Sequence, residues 1–239
     1  GLRQADEWKL IRDRIKDLRW ILNPVEGTPP PAESHSLFMM IDGHRSIDEL
    51  LSQATSTRFD TCSILYRFIE EGKVREASAG EMMEEARSRK KDRPASSLSL
   101  YEALIDRAGS SMGHTLLEEA AECAALHDPE AEARFLRRAV EILKMNGDGP
   151  GAWIRLQRLL ILAPGTTEDL QNAWTLRQHI PTRRVHTILD DLVRSLRRSG
   201  ELRQVIISLK EAESLRGSDA RYWLQLGEAL QRVKDPSAE

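Results

Sequence analysis

The chain has 239 residues, 35 Lys and Arg against 38 Asp and Glu, and a formal charge of −3. It is 40% hydrophobic and 31% charged, with 31 leucines against 7 valines. That length allows one large domain or two modest ones at ~100–200 residues each, and it needs no disulfide or metal staple. Apolar runs such as 37–41 and 159–163 stop far short of the ~18 residues of a membrane span. No basic and apolar leader opens the chain. The two cysteines, Cys62 and Cys123, sit inside helical patterns and suit a reducing compartment. Membrane-spanning, disulfide-rich secreted and wholly disordered classes are excluded. Leucine-rich, valine-poor usage favours helix over sheet, so the expectation is a soluble, cytoplasmic, mostly helical protein, and with no enzyme signature in the sequence it is expected not to be an enzyme.

Residues 6–22 place Trp8, Ile11, Ile15, Leu18 and Leu22 at spacings of three and four, one stripe of an amphipathic helix stopped by Asn23-Pro24. A proline-rich loop follows at 27–34. Three helical patterns come next, at 35–41, 46–54 and 58–71, with Asp42-Gly43 between the first two. Ser46 with Glu49 reads as a capping box, and so does Ser78 with Glu81, which starts a helix running towards Lys91. Residues 73–77 are the one stretch that reads as a strand, with a partner expected near Arg45. Between Arg87 and Ser97 the composition turns basic and polar, which sets the expected boundary between domains 1–95 and 96–239.

From Leu98 the pattern is helix, short turn, helix, at 98–108, 113–126, 129–145, 151–162, 167–178, 182–198, 202–215 and 219–233. The separators are 109–111, 127–129, 146–150, 163–165, Pro181, 199–200 and 217–218. Trp153-x-x-Leu156 with Leu160, Leu189-x-x-Leu192 with Leu196, and Trp223-x-x-Leu226-Gly227 with Leu230 recur at offsets of 36 and 34. These residues resemble the tetratricopeptide pattern over residues 113–233. The fold class expected is all-α with one short strand at most. It pairs a winged-helix-like three-helix domain with a tetratricopeptide-like solenoid of antiparallel helix hairpins.

The order helix, turn, helix, turn, helix, strand over 35–77 is that of a winged-helix domain. Glu7-Trp8 on the leading helix, Leu37-Phe-Met-Met-Ile-Asp-Gly43, Arg45-Ser-Ile-Asp-Glu-Leu50, Leu65-Tyr-Arg-Phe68 and Glu71-Gly72-Lys73-Val74 carry a further resemblance. Together they resemble the C-terminal, winged-helix-like half of the PATAN-type domain of bacterial signalling proteins. That family is often joined to receiver or tetratricopeptide modules. The resemblance implies a role in bacterial signal transduction. The family's strand-rich N-terminal half has no counterpart here, which implies a longer parent protein.

The helix that would read DNA carries Arg58 and Arg67 against Asp60, Glu70 and Glu71, and residues 1–95 hold 16 basic against 17 acidic side chains. Phosphate contacts by Lys and Arg dominate DNA affinity, so this domain lacks the footprint of a DNA binder. The function expected is therefore a non-enzymatic scaffold or adaptor that binds partner proteins through a helical-repeat groove. The alternative is a DNA-binding winged-helix transcriptional regulator with a helical sensor domain.

No catalytic, cofactor or metal residues stand out. His114/Glu118 and His186/Asp190 lie four apart on helices, but nothing else converges on either pair, and surface pairing explains them. Asn146-Gly-Asp-Gly-Pro-Gly151 follows a helix rather than a strand and lacks a Lys-Ser/Thr, so it reads as a connection and not a phosphate loop. The feature that rises above background is arginine. On the first helices of the hairpins, Arg158, Arg194, Arg197, Arg198, Arg221 and Arg232 are expected to line a concave groove. Guanidinium forks match carboxylates bidentately, so the partner expected is an acidic protein segment.

Overall fold

The computed structural model describes residues 2–109, 113–163, 165–216 and 218–234, so the turns expected at 109–111, 163–165 and 217–218 lie partly outside it. Among the described residues the fold is almost wholly α-helical, with one two-stranded antiparallel sheet. The chain divides into two compact units, Gly1–Glu132 and Ala133–Glu239.

In the first unit α1 (Leu2–Arg14) buries Ile11, and Trp8 meets Phe59 of α4 (Arg58–Glu70) edge-on at 5.4 Å. This helix is shorter than the 6–22 pattern implied. Trp20, Ile21 and Leu22 are consecutive apolar residues, which a helix would spread over three faces. Extended chain buries all three, and Leu22–Pro24 becomes strand β1. It pairs with β2 (Val74–Glu76) in the register Leu22↔Glu76, Asn23↔Arg75, Pro24↔Val74. The sheet thus has two short strands where one was expected. The partner of 73–77 is 22–24, while Ser46, beside Arg45, makes only an isolated bridge to Ile21. Trp20 Nε1 donates to the Ala77 carbonyl at 3.0 Å, which locks the strand end.

Between the strands, α2 (His35–Met40), α3 (Ile47–Gln53) and α4 form the three-helix group. The Ser46–Glu49 capping box is closed in both directions. Gly43 and Gly72, at φ +78° and +66°, supply the left-handed turns before α3 and after α4. Phe38 and Phe68 meet edge-on at 5.5 Å, and Leu50 and Leu65 are fully buried. The Ser78–Glu81 capping box starts α5 (Ala79–Arg89).

Pro94 occupies the first turn of α6 (Pro94–Ala108), where its missing N–H costs nothing, so this helix begins four residues before the 98 expected. The composition break at 87–97 is therefore the turn between α5 and α6. These two helices pack on each other, and α6 packs on α7 (His114–Ala124), all inside the first unit. Ser97 Oγ donates to the Ala86 carbonyl at 2.6 Å, and Arg87 and Lys90 reach Glu119 and Glu122 at 2.6 and 2.8 Å. The two compact units meet in sequence at 132/133, within α8 (Pro129–Met145).

The second unit continues with α9 (Gly149–Leu162), α10 (Thr167–Thr175), α11 (Thr182–Arg198), α12 (Leu202–Glu211), the single turn α13 (Glu213–Arg216) and α14 (Ala220–Lys234). Here α9 packs on α10, α10 on α11, α11 on α12, and α12 on α14. That neighbour order, joined by short turns, makes antiparallel hairpins. Asp148 caps α9 by accepting from Gly151 N, and Thr166 with Asp169 closes a capping box on α10. A Cβ at Gly149 would strike the His179 ring, so a larger residue there requires that ring to shift. Asp169, 1% exposed, receives the Arg137 fork at 2.9 and 3.0 Å.

Candidate partner-binding grooves

The long helix α11 has two faces of opposite character. Val185, Ile188, Leu189, Leu192, Val193 and Leu196 are buried at helical spacing. On the other side Arg183, Thr187, Asp191, Arg194 and Arg198 recur every three or four residues, which places them in one stripe along the helix. The sequence builds this helix from apolar periodicity alone, and the arginines are carried on the side that periodicity leaves out.

Two grooves flank the stripe. The first, about 780 Å³, has Trp153, Leu160, Leu170 and Ile188 in its walls and is rimmed by Arg183, Arg184, Arg194 and Arg198. Asp191 is the one carboxylate that lines it. It is engaged with Arg194 at 2.9 Å. Among the described residues Arg183, Arg184 and Arg198 have no acidic partner within ion-pair distance, and all three are exposed. Arg183 and Arg184 also stand on the first turn of α11, where the helix dipole disfavours cations and favours an incoming anion.

The second groove, about 490 Å³, is shared by α11 and α14 and lined by Arg194, Arg197, Arg198, Arg216 and Arg221 with Asp190 and Asp219. Its charges are largely spent. Arg216 forks onto Asp190 at 2.7 and 3.0 Å, Asp219 accepts the backbone N–H of Arg221, and Arg197 donates to the Gln225 carbonyl. The Arg216 Nε and His186 Nε2 are buried and have no partner among the described residues.

Of the six arginines expected from sequence, Arg194, Arg197, Arg198 and Arg221 come together here. Arg232 shares the α14 stripe of Arg221, Gln225 and Glu228 but stands beyond the groove's lining. Arg158 does not extend it. That residue lies four from exposed Ile154 and three from exposed Ile161, on a face of α9 turned away from Trp153 and Leu160. Sequence reasoning missed Arg183, Arg184 and Arg216. The first was legible, since Arg183 lies 11 and 15 residues before Arg194 and Arg198, on the same helical stripe. Arg216 was not, because it reaches Asp190 only after α12 has turned the chain back.

In the cavity of the first unit the arginines are paired. The 840 Å³ cavity of the first unit is walled by Arg14, Arg19 and Arg107 with Asp17, Glu76 and Asp106. Those arginines already pair with Glu76, Asp17 and Asp106, and Arg107 stacks 4.2 Å above Trp20. On α4, Glu70 meets Arg14 of α1 at 3.2 Å, and Arg58 stands 3.6 Å from Asp48 of α3. Among the described residues no three His, Cys, Asp or Glu side chains converge on a metal site. No described helix is long and apolar enough to cross a membrane. Comparison with family models, curated proteins and solved structures gave no match.

Proposed function

We propose that this chain is a non-enzymatic adaptor of bacterial signal transduction that holds an acidic segment of a partner protein against α11. The observation that carries this reading is the 780 Å³ groove, with apolar walls and three exposed arginines that no carboxylate among the described residues answers. Like charges along one helix cost stability and invite an external anion. Antiparallel hairpins with large-x-x-Leu residues on their first helices support a tetratricopeptide-like repeat, whose grooves bind peptides. The three-helix group with its two-stranded sheet supports a PATAN-like winged-helix module used for protein contact, because the exposed side of α4 sets Asp60, Glu70 and Glu71 against Arg58 and Arg67 and lacks the basic excess that DNA needs. Two buried, unpaired thiols suit a cytoplasmic setting.

The test is titration of a labelled Asp/Glu-rich peptide, with its Asn/Gln counterpart as control, into wild type and an Arg183/Arg184/Arg198→Ala variant. Each lost charged contact is expected to weaken binding by ~1.5–3 kcal/mol without changing the unfolding midpoint. Equal binding by both proteins would leave the arginines as solvated charge. Preferential, steeply salt-dependent binding of generic duplex DNA would favour the regulator reading instead.

A further inference from the structure

The charge of the larger groove along α11 is not spread evenly. Its unanswered cations stand at the two ends, Arg183 and Arg184 in the first turn of the helix and Arg198 at its last residue. At 1.5 Å per residue those ends lie ~21–22 Å apart along the helix axis. The middle is different. Arg194, the one arginine that lines it there, is held by Asp191 at 2.9 Å. Asp191 lies eight residues after Arg183 and seven before Arg198, and its carboxylate is half-exposed. Ile188 stands in the same middle stretch and shares the groove with Trp153, Leu160 and Leu170. Along α11 the groove therefore runs from cationic, through apolar and neutralised, to cationic.

Resting on the adaptor reading, we propose that this groove selects an extended partner segment with acidic residues at both ends and an apolar residue between them, and disfavours one that is acidic throughout. About six or seven residues of extended chain, at ~3.3 Å each, span the distance from Arg183 and Arg184 to Arg198. A carboxylate at either end meets a guanidinium that no described carboxylate answers, and makes a charge-assisted hydrogen bond with it. A carboxylate at the centre meets the like charge of Asp191 and apolar walls that cannot solvate it. A leucine at the centre buries its side chain on those walls, an apolar anchor within a polar rim. Asp191 thus sets specificity by exclusion, and by holding Arg194 it keeps that cation from drawing an acid to the middle.

Fluorescence anisotropy with four labelled peptides tests the pattern. Three carry acidic residues about six positions apart and have leucine, serine or glutamate at the centre. The fourth keeps the leucine but brings the acids within about two positions of each other. The first is expected to bind wild type at least tenfold more tightly than any of the others. Asp191→Asn, a substitution on the surface, is expected to narrow the preference for leucine over glutamate at least threefold. Equal binding of all four peptides, abolished by Arg183/Arg184/Arg198→Ala, would overturn the pattern and leave the adaptor reading standing. An undiminished preference in Asp191→Asn would overturn the exclusion by Asp191. Failure of all four to bind would overturn the pattern and the adaptor reading together.

Discussion

Arg197 donates from Nη2 to the backbone carbonyl of Gln225 at 3.2 Å, and so ties the end of α11 to α14. Arg198, the next residue, is exposed and has no acidic partner among the described residues. Adjacent arginines of one expected binding set therefore do different work, one in the fold and one at the groove. Arg197→Ala is expected to lower stability by ~0.5–1.5 kcal/mol, the net worth of one such hydrogen bond. Arg198→Ala is expected to stay within ~0.5 kcal/mol of wild type. Urea unfolding of both variants checks this, and equal losses would refute the division of roles.

Asp169 is buried against Arg137. Burial pushes its carboxyl pKa up, but the Arg137 fork and the bonds from Thr166 more than offset this and hold it below the ordinary value. A carboxylate lowered in the folded state stabilises fully above its unfolded pKa, near ~3.9, and loses that contribution as pH falls through the lower folded value. Asp169→Asn is expected to cost ~2–3 kcal/mol at neutral pH, at the modest end for a broken buried pair because water reaches Arg137. Its unfolding midpoint should converge with that of wild type only under strongly acidic conditions. A constant gap across the acid limb would show that the Asp169 charge contributes nothing.

Arg89 is 6% exposed and donates to Glu85 at 2.7 Å and to Glu49 at 3.0 and 3.1 Å, so one guanidinium joins α5 to α3. Burial raises both carboxyl pKa values, and the Arg89 contacts with the capping bonds to Glu49 bring them below the usual range. Arg89→Met leaves two shielded carboxylates without their cation, and a loss of ~3–5 kcal/mol is expected. Arg89→Lys should recover only part of it, since a single ammonium nitrogen replaces the separate Nε and Nη1 donors that reach Glu85 and Glu49. Thermal unfolding of the pair decides, and full rescue by lysine would show that charge alone matters.

Gly227 lies in mid-helix with open space where a Cβ would stand. Gly227→Ala is expected to stabilise the fold by ~0.5–1 kcal/mol through helix propensity alone. The measurement is unfolding at low protein concentration. A destabilised variant would reveal a tight contact on this face within the chain.

Most helices were legible because their determinants are local. The Ser46–Glu49 and Ser78–Glu81 capping boxes, the Asp148 cap and the stripe of Val185, Ile188, Leu192 and Leu196 act within one or two turns of chain, so spacing alone predicts α3, α5, α9 and α11. The arginine stripe was legible for the same reason, as the complement of the buried stripe on α11.

Only the tertiary structure decided the rest. Leu22 fits the end of the helical stripe of Trp8, Ile11, Ile15 and Leu18 as well as it fits a strand, and the choice was made by β2, some fifty residues away, whose backbone needs a partner. Arg158 sits at a plausible repeat position, but the rotation of α9 that buries Trp153 and Leu156 carries it out of the groove. Arg216 and Asp190 find each other only through the turn after α12. Periodicity says which side of a helix is apolar, whereas packing sets the rotation and neighbours of that helix, and a binding groove is made of those.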